Sequence, residues 1–203
     1  MLSFVIISFA FTVLGLLEVE LMRGNIEQLE NRRLRESLLA AAQEISAKFQ
    51  KYMLVRSAMS VLTGAVVWVF ALAAGVELAT AWGVIAFVLN YIPFIGPLVA
   101  TIFPSLFALA QSESWRLAIF VFLGMNLIQF FIGSYLEPRI AGASLSLSPF
   151  MVLFAVFFWS FLWGIAGAFI GVPILIAILT ICAEHEGSTW IAILVSAGDR
   201  RPA

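Results

Sequence analysis

The sequence predicts an all-α fold, a polytopic helical membrane protein with two long broken or re-entrant helical segments. Three observations carry this. Of 203 residues, 63% are hydrophobic and only 11% charged, with a mean hydropathy of +1.06, whereas a soluble domain is roughly half apolar and a quarter charged. Charge is crowded into one polar stretch, residues 18–56, and into the C-terminal end. The apolar remainder falls into runs of membrane-helix length, two of them interrupted by proline and glycine.

Residues 1–17 are almost wholly apolar and predict a membrane helix. They lack a basic start, and Glu18 and Glu20 follow in place of a small-residue cleavage site, which argues against a signal peptide. Residues 18–56 predict an amphipathic helical segment, because Leu34, Leu38, Ile45 and Phe49 recur at multiples of three and four with charges between them. This stretch holds most of the lysines and arginines, so the positive-inside rule places it in the cytoplasm. Arg200 and Arg201 place the tail, 183–203, there too. His185 lies in that tail between Glu184 and Glu186 and reads as a solvated residue.

Residues 57–182 form the expected membrane transport core. Within it, 57–76 and 117–136 each have the length of one span. The runs 78–110 and 145–182 do not. As straight helices they would extend about 50 to 57 Å, against a hydrocarbon core of about 30 Å. Pro93, Gly96 and Pro97 break the first near its middle, and Gly164 and Gly167 break the second. A bent pair of half-helices fits each run, either re-entering on one side or crossing with a break. In the re-entrant arrangement the helix-plus-broken-run unit occurs twice with opposite orientation. Such an inverted repeat with interrupted helices is the signature of secondary transporters.

The first break reads "NYIPFIGP", residues 90–97. Proline has no amide hydrogen. Pro93 should therefore leave the carbonyl of Leu89 without its helical partner, and Pro97 that of Pro93. Backbone unsatisfied in hydrocarbon must face protein or a water-filled cavity. Free carbonyls and the Asn90 amide together can hold a polar solute or a cation. Gly96 is expected to supply backbone freedom. Alternatively, the prolines only kink a helix against its neighbours.

The second cluster is "YLEPRIAG", with Glu137 and Arg139 flanking Pro138 and Gly142 closing it. The charges are either a local salt bridge at an interface or part of a permeation path. Asn126 and Gln129 precede Glu137 at spacings that place all three near one helical face, a possible polar seam or a helix–helix hydrogen bond. In the third cluster, "FWSFLWGIAGAFIGVP", Gly164, Gly167 and Gly171 either pack helices or, with Pro173, form the second break.

Several functions are disfavoured. A net charge of −1 suggests no nucleic-acid partner. One cysteine, Cys182, excludes an intrachain disulfide and a cysteine metal cluster. No phosphate-binding G-x-x-x-x-G-K-[ST] pattern occurs, nor an H-E-x-x-H metal motif, and the single aspartate is Asp199 in the tail. The chain reads as neither an enzyme nor a cofactor binder, with no metal site.

The segments "LNYIPFIGPLVATIFPSLFAL", "EPRIAGASLSLSP" and "FFWSFLWGIAGAFIGVPI" resemble, in order and spacing, the C-terminal core of the AI-2E family of bacterial transporters. This is the autoinducer-2 exporter family, also called the PerM family of predicted permeases. Residues 1–50 look like the membrane helix and polar segment that precede that core. Family members are longer, so the chain reads as a truncated member or fragment. The resemblance implies a multi-pass protein of the bacterial inner membrane, embedded in the lipid bilayer and assembled as a homo-oligomer. It implies export of a small polar solute such as autoinducer-2, or exchange of cations. The family's motif positions fall on Pro93, Gly96, Pro97, Glu137, Pro138, Gly142, Pro149, Gly164, Gly167 and Pro173. A non-transporting membrane scaffold is the other class compatible with so short a chain.

Overall fold

The structure, a computed structural model, describes residues 2–141, 147–184 and 187–188. Every element among them is helical: α1 (Leu2–Glu27), α2 (Arg32–Ala73), α3 (Ala79–Leu89), α4 (Ile95–Ser112), α5 (Trp115–Gln129), a π-helical stretch (Phe130–Leu136), α6 (Glu137–Ala141) and α7 (Pro149–Glu184). Among the described residues, four helices are long and apolar enough to cross a membrane: Arg32–Ala73, Ile95–Ser112, Trp115–Ile140 and Pro149–Ala183. The expected tail, with His185, Arg200 and Arg201, lies almost entirely outside the described residues, as does Gly142.

The chain divides into two compact units, Met1–Ser46 and Ala47–Ala203. Helix boundaries differ from the sequence-based ones. The helix carrying the apolar N-terminal run continues through Glu18 to Glu27, and α2 runs through residue 56 into the apolar stretch without a break. In the first unit, Asn31 caps α2 by accepting the Leu34 amide at 3.2 Å. Arg23–Glu27 and Arg32–Glu36 form exposed pairs one helical turn apart.

In the second unit both long apolar runs are helical hairpins. α2 ends at Ala73, and a turn with Gly75 and Leu78 at positive φ leads into α3. α3 and α4 then lie antiparallel. At the open base the Glu77 amide donates to Gln111 Oε1 at 2.8 Å, and Gln111 Nε2 donates to the Gly75 carbonyl at 2.9 Å. Trp82 meets Phe107 farther along, with ring centroids 5.4 Å apart. At the closed tip a Cβ on Gly96 would collide with the Leu89 carbonyl oxygen.

α7 is a hairpin as well. Its one non-helical residue is Gly164, at φ 62° and ψ −142°. Gly167 lies so close to Trp159 that a Cβ there would collide with the Trp159 carbonyl oxygen, and a Cβ on Gly171 would come within 2.9 Å of the Ala155 carbonyl oxygen. Residues eight apart are about 12 Å apart on a straight helix, so the chain has folded back on itself at Gly164. The second break is therefore Gly164 alone. Gly167 is a packing glycine, and Pro173 lies inside the returning half.

The hairpins point in opposite directions along α2. The α3–α4 base sits just past the end of α2, while its tip reaches back to Ser60 and Ser57. Asn90 Nδ2 donates to Ser60 Oγ at 3.2 Å, and Tyr91 donates its hydroxyl to Ser57 Oγ at 2.9 Å. The α7 base lies near Lys48, whose ammonium donates to Thr180 at 3.2 Å. Phe169, close to the α7 tip, meets Tyr91 with ring centroids 6.1 Å apart. The tips thus overlap, and Ile92 packs there with Val156, Ala168, Val172 and Ile176. A second apolar core (Val67, Ala86, Ala100, Ala108, Val121, Met125) joins α2 to the first hairpin and to α5.

Candidate functional site

Between Asn90 and Ile95 the backbone makes a short irregular passage. Both carbonyls expected to be free are taken: Leu89 O accepts from the Ile92 amide at 2.9 Å, and Pro93 O from the Ile95 amide at 2.7 Å. The second bond closes a three-residue turn whose central residue, Phe94, sits at φ 63° and ψ −51°. That is the strained, positive-φ γ-turn, uncommon for a bulky side chain. Pro97 lies in the first turn of α4, where its missing amide costs nothing. Gly96 is needed for its small size, because the Leu89 carbonyl occupies the place of a side chain.

Beside this passage lies a cavity of about 760 Å³. α2 contributes Tyr52, Val55 and Arg56. The first hairpin contributes Asn90, Pro93, Phe94 and Pro97. The α5–α6 rod adds Asn126, Gln129, Phe130, Gly133, Ser134, Glu137 and Pro138. The start of the second hairpin supplies Leu147, Pro149 and Val152, and its returning half supplies Val172. Asn90, Pro93, Pro97, Asn126, Gln129, Glu137 and Pro138 are thus brought to one cavity. Gly96, Arg139, Gly164, Gly167 and Pro173 are not in its wall.

Glu137 does not pair with Arg139. It accepts from Arg56 Nη1 at 2.5 Å, with the arginine side chain 7% exposed and the carboxylate 25%. Arg139 stacks instead over the Tyr135 ring, its guanidinium carbon 4.0 Å from the centroid. The π-helical stretch explains how Glu137 is presented. A proline ring clashes with the carbonyl four residues earlier, here Ser134. The wider turns before Pro138 move that carbonyl aside, and the Glu137 amide reaches back five residues to Ile132. Such wide turns are rare and occur often at functional sites.

Two donors in this wall are buried without a hydrogen-bond partner, Arg56 Nε and Gln129 Nε2. Asn126 instead donates to its own helix, at the Phe122 carbonyl. Sequence reasoning missed Arg56 and Tyr52. The available signal was that Arg56 is the last charge before an apolar run, one helical turn after Tyr52. Among the described residues, no group of three or more His, Cys, Asp or Glu could hold a metal ion.

The AI-2E family transporter profile matches residues 1–186. The chain belongs to the AI-2E transporter family. Over 181 residues it is 35% identical to the AI-2 transport protein TqsA of Escherichia coli K12, covering 89% of this chain and 52% of TqsA. A putative transport protein of Borreliella burgdorferi is 29% identical over 190 residues, covering 93% of this chain and 52% of that protein. The putative transport protein YrrI of Bacillus subtilis is 28% identical over 160 residues, covering 77% and 44%. The chain spans about half the length of the curated relatives it matches. AI-2E membership and four apolar helices make it a multi-pass membrane protein.

Proposed function

We propose that this chain forms the solute-binding core of an AI-2E transporter in the bacterial inner membrane, and that a small polar solute passes through the cavity at Arg56 and Glu137. The observation that carries this reading is the meeting of two oppositely directed hairpins at one polar cavity. A charged pair in membrane-spanning helices is costly and usually functional, and irregular backbone at membrane depth is tolerated where it lines a cavity. The hairpins enter the bilayer from opposite faces and return. Alternating access then needs only a rocking of one hairpin against the other around a fixed site. Transport of autoinducer-2, the activity in the name of TqsA, is the substrate reading that similarity supports. Cation exchange is less well supported, since the one carboxylate in the wall is already paired with Arg56. The polar segment from residue 18 up to the cavity wall at Tyr52 lies on the cytoplasmic side, as does the C-terminus, and copies assemble as a homo-oligomer in the lipid bilayer.

The test is solute flux in proteoliposomes, for the protein and for a Gly133→Trp variant that fills the cavity. Flux through the first and not the second is expected. Equal flux would move the path elsewhere. No flux from either, with the variant intact, would favour a scaffold.

A further inference from the structure

We infer that the tip of the first hairpin is the outward gate of the cavity, and that two hydrogen bonds to α2, Asn90–Ser60 and Tyr91–Ser57, latch it shut while the cavity opens to the cytoplasm. This rests on the cavity being the solute site and on the polar segment being cytoplasmic, and adds which part closes the exit.

The order of residues along each element places the gate. α2 runs outward, and its cavity residues, Tyr52, Val55 and Arg56, come before Ser57 and Ser60. The α5–α6 rod runs inward and gives Glu137 and Pro138 from its far end, and the second hairpin gives Leu147 and Pro149 from its base. From the outer side comes the first hairpin, which meets the cavity with its tip, Asn90 to Pro97. The next turn of α2 outward is where that tip is fastened. Asn90 Nδ2 donates to Ser60 Oγ at 3.2 Å, and the Tyr91 hydroxyl to Ser57 Oγ at 2.9 Å. Farther out, Val67 and Ala71 of α2 share an apolar core with Ala86 and Ala100 of the hairpin. A solute leaving the cavity outward along α2 therefore meets the tip first.

The chemistry of the contact suits one that opens. Val67 and Ala71 show that α2 can hold this hairpin with apolar side chains, yet at the tip four polar side chains meet. Neutral hydrogen bonds between membrane helices are weak, each worth about threefold in an equilibrium. Breaking Arg56–Glu137 would instead leave a buried charge, so the tip can leave α2 while the rod stays. The Tyr91 ring also meets Phe169 of the second hairpin, so rocking of one hairpin against the other is felt at the Tyr91–Ser57 bond. Thr63, on the same stripe of α2 as Arg56 and Ser60, is fully buried with its hydroxyl unpartnered. Polarity left unmet beside the latch can be met by water once the tip lifts.

The test is labelling of Ser134→Cys, in the cavity wall, by a charged, membrane-impermeant methanethiosulfonate in a Cys182→Ser background. Intact cells expose the outer face and inverted vesicles the cytoplasmic one. Labelling is expected in inverted vesicles and scarcely in intact cells. Adding Ser57→Ala and Ser60→Ala should raise the rate in intact cells about tenfold, and Tyr91→Phe alone about threefold. Tyr91→Phe keeps the ring contacts, so it carries the test should the double variant fail to fold. Labelling of the parent from outside, or from neither face, would overturn the inward-open state. An unchanged pattern in folded latch variants would make these bonds packing only, and leave the cavity as the solute site. Equal flux in Gly133→Trp would remove the solute site, while the labelling still reports which face the cavity opens to.

Discussion

Arg56 and Glu137, 81 residues apart in sequence, meet at 2.5 Å and tie α2 to the far end of the α5–α6 rod. The pair joins helices from either side of the first hairpin at the level where the hairpin ends. Its removal should therefore register in both stability and transport, but not equally.

Arg56→Met leaves Glu137 without its partner and should destabilise the protein by about 3–5 kcal/mol. Adding Glu137→Leu removes the orphaned charge and should restore most of that loss, because apolar replacements of buried pairs are often neutral. Thermal unfolding in micelles checks both, and flux in proteoliposomes should stay low throughout. Recovery of transport in the double variant would remove the pair from the solute path.

Gly96→Ala places a methyl group on the Leu89 carbonyl. Overpacking of this kind should cost about 1–3 kcal/mol. Gly133→Ala, which meets open space, is the matched control and should show no loss. Equal melting temperatures for the two variants would contradict the close contact at the hairpin tip.

Gly164→Ala meets no steric neighbour, yet its φ of 62° with ψ of −142° is essentially a glycine conformation. A cost of about 1–3 kcal/mol is expected. Gly164→Asn should do no better, because asparagine tolerates the left-handed helical region and not this one. An unfolding series with both variants checks it.

Phe94→Gly removes the strain of the γ-turn. The Phe94 side chain is 49% exposed, so little burial is lost. Stability should hold or rise by about 1 kcal/mol, since strained backbone of this type costs about 1–3. Transport should fall, because the tip loses its fixed shape. A clear drop in melting temperature would show that the Phe94 ring, not the turn, matters there.

Much of this architecture was legible in the chain. Hydropathy and run length announced the helices, and the clustering of Asn90, Pro93 and Pro97 located the first hairpin tip to within a few residues. What failed was the detail of each breaker. Pro97 looked like part of the break, but a proline in the first helical turn is harmless. Gly96 looked like a hinge, but a close backbone contact demands it. Arg56 was hidden because it ends a polar stretch that reads as solvated. Its partner is set by the folding of the first hairpin between them, and no local spacing encodes that. Glu137 was instead matched with Arg139, two residues away, although on a helix such neighbours do not face each other.

The two arms of α7 touch backbone to backbone at Gly167 and again one turn later at Gly171. At both places a carbonyl of the outgoing arm lies against the position a side chain on the glycine would take. Sliding one arm past the other would drive a carbonyl into the next residue's methyl or methylene group, so the hairpin has no soft internal joint short of Gly164. We expect it to move as one double-thickness paddle, carrying a displacement at its base to its tip.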